Sequence, residues 1–521
     1  MPTNPSRAKP SQRTQILLLG LLGAIQVADP LVTTLTLVKA SDELNLTASL
    51  QSLAAGISTF ALAATVIPGG VLADRLGRRS VLAFSVLLSA LGQVISAFGP
   101  DPTIFLLGRI ITGVALGTTF AASYGMIKNV TPQENRGPAL AAFAVANTVF
   151  PLAVVVLTGP IAAVNWRWAY LILPVVSVLV FPLALRLLPA VPKLASGPVD
   201  LVGMVLVATG VAGLLFGISS AGGGIQSASF WLPILIGLAA LAGFGYHGSR
   251  AANPVFPPRI LAHPAFLAAV LLGVVFNFAS GASSQMSANF WQYIVHLPTA
   301  VIGIASMPTA AVSVVAAVVA GQLVKGGVPA SRIALVGSLM TVAGLVSLGF
   351  MTGSSTYLAF VPMMVLSGLG VASVALVQGN LFLSLAPARF FGPVTSSKTA
   401  VGQFGYSLGL TGTTVLVSTF TLDGVQRATG GVISGEGSWD SITSYLATGV
   451  TTDPALAKLG HASLSGIYAQ AFSWTALVSA GFLAVLAGLI AWSLRRPAAQ
   501  TSVEEFLGLD DAPSEPATQE L

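Results

Sequence analysis

Apolar residues fill long, nearly uninterrupted stretches of this chain, and short segments between them hold most of the charges. About 20 apolar residues suffice for a helix to cross the ~30 Å hydrocarbon core of a bilayer. The chain contains fourteen such stretches, which predicts fourteen transmembrane helices. They cover residues 14–38, 46–72, 79–99, 103–127, 138–161, 168–189, 200–220, 229–249, 265–295, 299–323, 331–352, 356–386, 392–419 and 466–494. The first is too long for a signal-peptide core and has no small-residue cleavage pattern, so we predict that it is a mature helix.

The composition agrees with a membrane protein and excludes other classes. The 521 residues are 54% hydrophobic and only 8% charged, whereas a soluble domain carries roughly 25% charged residues. We therefore predict an all-α membrane protein. Cysteine is absent, which excludes disulfides and thiolate chemistry. The four histidines lack metal-ligand spacing, and no Gly-x4-Gly-Lys-Ser/Thr phosphate loop occurs. We predict neither an enzyme nor a bound cofactor.

The positive charges fall mainly on one side of the predicted membrane. With the N-terminus in the cytoplasm, 18 of the 23 lysines and arginines lie on the cytoplasmic side, including Lys398 at the start of the thirteenth helix. Four lie outside, and Arg109 lies within a helix. Cytoplasmic segments retain positive charge, so both termini are predicted to be cytoplasmic. The net charge of +6 then reflects membrane topology and not nucleic-acid binding.

Two segments with related patterns divide the chain into halves. GGVLADRLGRRSV follows the second helix and AGQLVKGGVPASRIAL follows the tenth. Each combines a Gly-x-Leu helix end, a tight basic loop and a new helix, and repeated halves are typical of secondary transporters. We predict two six-helix bundles with a two-helix insert. The expected organisation is a cytoplasmic N-terminus (1–13), an N-terminal bundle (14–189), the insert (190–250), a C-terminal bundle (251–495) with an external loop (420–465), and an acidic cytoplasmic tail (496–521).

The residues after the second helix have distinct physical uses. A glycine at the membrane edge permits close helix approach, and an aspartate can pair with cations or with the positive N-terminal end of another helix. A second glycine allows the turn, and arginines hold the cytoplasmic face. The residues of this pattern are Gly70, Asp74, Arg75, Gly77, Arg78 and Arg79. The pattern resembles the signature loop of the major facilitator superfamily, and the resemblance implies a gating loop.

Other motifs resemble one branch of that superfamily. In LLGRIITGVALG, Arg109 is followed by Gly113 and Gly117, which resembles the superfamily's helix-4 arginine motif. Glycines four residues apart share a helix face and let another helix come close. NWRWAYLILP resembles the Trp-Arg-Trp signature of the fourteen-helix drug:proton antiporters. The helix count and the two-helix insert also resemble that branch. We expect the two tryptophans of NWRWAYLILP, Trp166 and Trp168, to anchor at the membrane interface.

A carboxylate lies deep in the first predicted helix. Of the 17 acidic residues, only Asp29 is deep in a span, and Arg109 is the only deep base. An ionisable group at membrane depth costs at least about 2.5–3.5 kcal/mol and usually marks a functional path or pair. An acid next to a base in such a place can load and release a proton. We therefore predict that Asp29 and Arg109 couple transport to protons, the alternative being a purely structural lock between two helices.

Several further polar residues are candidates for lining a substrate cavity. On the first helix, Gln26, Asp29, Thr33 and Thr36 share one face, which we expect to line the cavity between the bundles. In the second half the same chemistry fits either substrate contact or hydrogen bonds between helices. The candidates there are Asn277, Gln285, Asn289, Gln292, Gln378, Gln403 and Tyr406.

These features predict a proton-coupled secondary transporter that exports lipophilic or amphiphilic small molecules by alternating access. The expected partners are that substrate and the lipid bilayer, with protons as the coupling ion, in a monomer within a bacterial inner membrane. Helix 5 keeps Pro151 but lacks the paired glycines of the antiporter motif. That loss leaves a proton-coupled importer of a small solute as the alternative. A non-transporting sensor is disfavoured, because no segment resembles an output domain.

Overall fold

Fourteen helices in the described part of the chain are long and apolar enough to cross a membrane, so the predicted number of spans is confirmed. We label them α1–α14 in chain order. Their bounds in this computed structural model are α1 Gln12–Leu44, α2 Ala48–Leu76, α3 Arg78–Phe98, α4 Pro102–Val130, α5 Arg136–Val164, α6 Ile172–Leu187, α7 Leu201–Ser219, α8 Ala228–Gly248, α9 Pro264–Tyr293, α10 Met307–Lys325, α11 Ala330–Leu348, α12 Val361–Ser384, α13 Phe391–Thr429 and α14 His461–Leu494.

Short helical turns precede three of these helices and extend the membrane spans. They are Trp166–Ala169 before α6, Thr299–Ala305 before α10 and Tyr357–Phe360 before α12. The structure describes residues 11–46, 48–191, 199–220, 227–251, 253–255, 258–387, 390–433, 438–496 and 503–507. Most of the predicted N-terminal segment, of the link before α7 and of the acidic tail lies outside these ranges.

Two hydrophobic cores divide the helices into halves. Buried residues of α1–α6, such as Leu22 and Leu116, build most of the first core. Buried residues of α9–α14, such as Leu345 and Leu483, build the second. Burial of a leucine side chain away from water stabilises a fold by roughly 1.5–3 kcal/mol. Inside a bilayer, close packing and hydrogen bonds instead drive the association of helices. We call α1–α6 the N-terminal half and α9–α14 the C-terminal half.

The two-helix insert lies beside the junction of the halves. Helix α7 packs along α8, and it also contacts α2 of the N-terminal half and α13 of the C-terminal half. Phe216 of α7 meets Phe60 of α2 edge to face, with 6.3 Å between ring centroids. The insert therefore touches both halves, although in sequence it only separates them.

The predicted external loop at 420–465 is largely helical, which corrects that prediction. Helix α13 continues to Thr429, a further helix covers Ser438–Thr448, and α14 already begins at His461. The Gly, Ser and Thr content suggested a loop, but α13 carries a buried stripe at four-residue spacing. Its members are Gly405, Gly409, Thr413, Val417, Thr421 and Val425. Packing of this stripe overrides the weak helix propensity of the segment.

The predicted loop between α2 and α3 is also mostly helical. Helix α2 runs on to Leu76 and α3 begins at Arg78, so Gly77 alone connects them. Its φ of 100° is one that residues with a side chain rarely adopt. The turn at Gly77 is confirmed, whereas the longer loop is wrong because most of the motif belongs to the ends of two helices.

Candidate functional site

The interior of the N-terminal half holds a buried carboxylate, that of Asp29 on α1. Arg109 of α4 meets it with both terminal nitrogens: Nη1 lies 2.6 Å from Oδ1 and Nη2 lies 2.9 Å from Oδ2. The Ser58 hydroxyl of α2 donates to Oδ2 at 2.7 Å. The Gln93 amide of α3 donates to Oδ1 at 3.3 Å. Donors from three other helices thus converge on one acid.

This arrangement has hydrogen-bonding capacity for both protonation states of Asp29. All four hydrogen bonds are donated to its oxygens, which suits the carboxylate. A neutral carboxyl group would need an acceptor for its own proton. The Ser58 hydroxyl can accept as well as donate, and the Gln93 amide offers an oxygen after a flip. The site therefore offers an acceptor for the proton, and the buried Gln93 Oε1 has no hydrogen-bond partner among the described residues.

Arg109 is completely buried and sits among groups that hold it in place. Its guanidinium carbon lies 5.7 Å from the centroid of the Tyr170 ring, within the range of cation–π attraction. The Tyr170 hydroxyl donates to Thr33 Oγ1 at 3.3 Å, and Thr33 donates to the Asp29 carbonyl oxygen at 3.2 Å. The structure thus brings the two predicted proton-coupling residues into direct contact.

Close packing of α4 on α2 makes this site possible. A Cβ built on Gly113 would overlap the carbonyl oxygen of Ser58, and one on Gly117 would lie 2.5 Å from the carbonyl oxygen of Leu62. The expected close approach at these two glycines is therefore present. It brings the Ser58 hydroxyl and the Arg109 guanidinium to the same carboxylate.

A cavity of about 330 Å³ lies between the halves. Residues of α1, α4 and α5 line it on one side, and residues of α9, α10, α12 and α13 on the other. Its walls are mostly apolar, with the aromatic rings of Phe120, Tyr124, Phe143 and Phe276. A cavity of this size, with apolar walls and few polar groups, is typical of small-molecule sites.

The polar stripe of α1 turns mainly away from this cavity. Gln26 lines the cavity, whereas Asp29, Thr33 and Thr36 are buried within the N-terminal half. Our expectation that the stripe lines the cavity is therefore right for Gln26 and wrong for the other three. The physical reason is that the donors for Asp29 lie on α2, α3 and α4, so the charged face of α1 points at those helices.

The seven cavity candidates of the C-terminal half are not among the described residues that line this cavity, and their contact with substrate stays a prediction. Asn277 instead donates to the carbonyl oxygen of Gly273 at 2.8 Å, and Gln285 donates to Asn289 Oδ1 at 3.1 Å. Both hydrogen bonds lie within α9, so neither is one of the hydrogen bonds between helices that we kept open as the alternative. The others are Gln292, Gln378, Gln403 and Tyr406, of which Gln378 is fully buried.

The α2–α3 junction joins the two halves. Asp74 Oδ2 accepts a hydrogen bond of 2.5 Å from the backbone N–H of Gly392, in the first turn of α13. Its other oxygen pairs with Arg78. A Cβ on Gly70 would overlap the backbone of Gly392. The expected pairing of Asp74 with the positive end of a helix is present. Arg78 is buried above the Phe391 ring, and not at the surface as expected.

Further contacts between the halves lie at the same ends of the helices. The Tyr124 hydroxyl of α4 donates to the carbonyl oxygen of Gly379 in α12 at 2.8 Å. Where α5 passes α10, a Cβ on Gly137 would lie 3.5 Å from the carbonyl oxygen of Gly321. Helix 5 therefore packs closely on the other half at this end, even without the paired glycines of the antiporter motif.

The Trp-Arg-Trp segment forms a polar cluster at the opposite ends of these helices. Trp166 is buried and its indole N–H donates to Glu43 at 2.5 Å, while Arg167 Nη2 lies 2.9 Å from the same carboxylate. The hydrogen bond from Trp166 and, as the next largest cause, those from Arg167 lower the pKa of Glu43 below its usual value of 4.5. The interface position that we predicted for Trp166 is wrong. Trp168 is 66% exposed, as an interface anchor requires.

Sequence reasoning missed three residues of these sites. Ser58 and Gln93 complete the shell of Asp29, but a serine or a single amide in an apolar helix is too common to stand out. Lys398 was assigned to the cytoplasmic edge, whereas it lines the cavity from α13. Its position two turns inside the span was the signal that could have identified it.

Comparison with known proteins agrees with this architecture. The family model described as Major Facilitator Superfamily matches residues 17–410. This chain belongs to that superfamily. It is therefore a multi-pass membrane transporter and not an enzyme, as the sequence predicted. Its fourteen spans fit the fourteen-helix drug:proton antiporter branch that the sequence motifs resemble.

Similar proteins include one named for multidrug resistance and one named as an efflux pump. The chain is 27% identical to the "Multidrug resistance protein B homolog" of Mycobacterium tuberculosis over an alignment of 366 residues. That alignment covers 68% of this chain and 67% of the relative. It is 25% identical over 380 residues to the "Multidrug efflux pump LfrA" of Mycolicibacterium smegmatis, which covers 70% of this chain and 72% of the pump. Among solved structures, the proton:xylose symporter XylE aligns with a TM-score of 0.59 at 15% identity, over 95% of this chain and 98% of XylE. That likeness concerns the fold alone.

Proposed function

We propose that this protein exports lipophilic or amphiphilic small molecules by proton-coupled alternating access. The observation that carries the proposal is the buried Asp29–Arg109 pair with its Ser58 and Gln93 neighbours. Ionisable residues at membrane depth are costly, and those that persist usually mark ion or proton paths. The name of the efflux pump LfrA supports the export direction, and the name of the multidrug resistance relative agrees with it.

In the proposed cycle, Asp29 takes up a proton from outside and releases it inside. Protonation removes the negative charge that faces Arg109, so a bidentate ion pair between α1 and α4 becomes a weaker set of neutral and singly charged hydrogen bonds. The free energy of the N-terminal half then differs between the two protonation states. A difference of this kind is what shifts a two-state equilibrium between orientations.

The contacts at the α2–α3 junction would serve as the gate. Asp74 holds the first turn of α13 across the junction, and Tyr124 holds Gly379 of α12. Gly70 and Gly392 let the two halves touch there. With this end facing the cytoplasm, the described form is closed on the inside, and the residues of the gate stabilise the outward-facing state.

We also propose that both termini are cytoplasmic and that the protein works as a monomer in a bacterial inner membrane. The distribution of cations along the sequence supports the orientation. The mycobacterial sources of these two relatives support a bacterial membrane.

The test is transport in proteoliposomes with an imposed pH gradient. A panel of lipophilic dyes, anionic, neutral and cationic, first identifies one that the wild type moves. We expect Asp29→Asn to abolish gradient-driven movement of that dye, because the amide cannot exchange a proton. Asp42→Asn is the matched control, since Asp42 is an exposed acid on the same helix. It should leave transport unchanged.

Two outcomes would contradict the proposal. If Asp29→Asn melts at a similar temperature and still couples dye movement to the gradient, Asp29 only pairs with Arg109. If a lumenal pH indicator shows that dye and protons cross in the same direction in the wild type, the protein is a symporter, which was the alternative from the sequence. Removal of one charge from a buried pair can cost about 3–5 kcal/mol of stability, so the melting measurement is essential.

A further inference from the structure

The central cavity contains a cation with no acidic counterpart. Among the described residues that line it, Lys398 of α13 is the only charged one. No carboxylate in the described part of the chain forms an ion pair with Lys398. The acid of the N-terminal half does not compensate it either, because Asp29 is buried against Arg109 and does not reach the cavity.

The surrounding helices hold the lysine in a defined place. Its ammonium nitrogen lies 4.9 Å from the centroid of the Tyr124 ring. The Tyr124 hydroxyl bonds the Gly379 carbonyl oxygen, which fixes that ring. Gly379 has no side chain, and a Cβ there would come within 3.7 Å of Lys398 Cε. The stem of the lysine thus passes over a glycine, and its charge meets an aromatic face on the opposite half.

The aromatic contact compensates the charge only in part. A cation–π contact contributes about 0.5–2 kcal/mol, whereas removal of an ammonium group from water costs considerably more without a counter-charge. The cavity therefore has a positive potential that none of the described wall residues neutralises. An anion that enters it would gain a charge-assisted hydrogen bond, the stronger class of hydrogen bond in proteins.

The rest of the wall matches an apolar or aromatic body. Phe120, Phe143 and Phe276 face the cavity. The hydroxyls of Thr148 and Ser313 already bond carbonyl oxygens of their own helices, so they offer little to a ligand. In the described part of the chain, no hydrogen bond occupies the Gln26 amide at the cavity wall. The second amide of the wall, that of Asn147, already donates to the carbonyl oxygens of Gly20 and Phe143. One cation and one amide with no hydrogen bond of its own then provide a site for a single acidic head group.

We propose that the transported substrates are amphiphilic organic anions, whose carboxylate or similar acidic group binds Lys398 while the apolar body packs on the aromatic wall. This inference rests on the proposed function for the assumption that the cavity holds the substrate. It specifies the substrate class, which the exporter proposal leaves open. It also predicts that an isosteric cation is disfavoured, because the cavity places like charges together.

The test is equilibrium binding without any proton gradient, so that its outcome is independent of coupling. Protein in phosphatidylcholine nanodiscs is titrated at neutral pH with three fluorescent probes that share one body: pyrenebutyrate, its primary amide and a pyrenebutyl trimethylammonium salt. Empty nanodiscs supply the correction for partition into lipid. We expect the wild type to bind the carboxylate at least about tenfold more tightly than the amide, as a hydrogen bond between charged groups implies.

Variants at one position assign that preference to the lysine. Lys398→Gln should make the carboxylate and the amide equal, Lys398→Arg should keep the preference, and Lys398→Glu should favour the trimethylammonium probe. Lys325→Gln is the matched control, because Lys325 is an exposed lysine at the end of α10 outside the cavity lining. Thermal melting of each variant shows that it is folded.

The inference is overturned if the wild type binds the carboxylate and the amide equally, or if Lys398→Gln retains the preference. Asp29→Asn separates the two proposals, because it should lose coupled transport and keep the carboxylate preference. If the wild type shows no preference for the carboxylate probe but does show proton-coupled transport, the substrate assignment fails and the exporter mechanism stands. A preference that depends on Lys398, in a protein that shows no proton coupling, would defeat the exporter mechanism alone.

Discussion

At the scale of single residues, the charges inside this membrane protein are held by partners from other helices. Asp29 receives donors from α2, α3 and α4, and Asp74 receives the backbone N–H of α13. A buried charge that loses its partner is strongly destabilising. Several helices therefore depend on each of these carboxylates at once, and we expect their substitution to lower the stability of the protein.

Glu43 offers a residue-scale prediction with a defined pH dependence. Its pKa is lowered in the folded protein by Trp166 and Arg167, so the ionised form stabilises the fold above the unfolded pKa. That contribution is lost as the pH falls below 4.5, through the lower folded value. We expect Glu43→Gln to lower the melting temperature at neutral pH, and the difference from wild type to shrink in acid.

The size of this effect is limited by exposure. The Glu43 side chain is 52% exposed, and exposed ion pairs contribute at most about 1 kcal/mol. Thermal unfolding in detergent at neutral and acidic pH measures the difference, with Asp42→Asn as the control for loss of a nearby exposed acid. A difference between Glu43→Gln and wild type that stays constant across this pH range would refute the assignment.

At the scale of elements, glycines decide how closely helices approach. Gly113 places α4 against the Ser58 carbonyl of α2, and the Ser58 hydroxyl in turn holds Asp29. Close packing through small residues is the main source of helix association in membranes. A packing position on α4 is thereby linked to the candidate proton site on α1.

We expect Gly113→Ala to destabilise the protein, because the added methyl group would meet backbone atoms that cannot move aside. Overpacking of this kind typically costs about 1–3 kcal/mol. The matched control is Gly488→Ala in α14, where a Cβ meets nothing within 4 Å. Thermal unfolding compares the two variants, and the proteoliposome assay shows whether coupling weakens along with stability. Equal melting temperatures would contradict the packing account.

At the scale of the whole molecule, the halves touch at the ends of the helices that carry the α2–α3 junction. Hydrogen bonds from Asp74 and Tyr124 cross between the halves there. Helices α5 and α10 also pass closely, at Gly137 and Gly321. In the alternating access that we propose, these contacts open in every cycle. We therefore expect a covalent link between the halves at this end to stop transport.

The chain has no cysteine, so a designed pair can be oxidised without competition. A Cβ at Gly137 or at Gly321 meets its nearest neighbours only at 3.5 Å or more, so both positions accept a side chain. We expect Gly137→Cys with Gly321→Cys to form a disulfide under mild oxidation and to lose transport. Reduction should restore it, and each single variant should transport under both conditions. Full transport by the cross-linked protein would exclude opening at this end.

The sequence by itself determined the number of spans, the membrane class and the superfamily, because apolar length and motif spacing are local properties. It also identified Asp29 and Arg109 as partners, since an unmatched charge in an apolar helix is visible without a structure. Tertiary structure alone decided which way each polar face points: Asp29 into the N-terminal half, and Lys398 into the cavity. A helical pattern defines a polar face but not the neighbour that it meets. The packing of α2 and α4 around α1, and of α12 against α13, settles that direction.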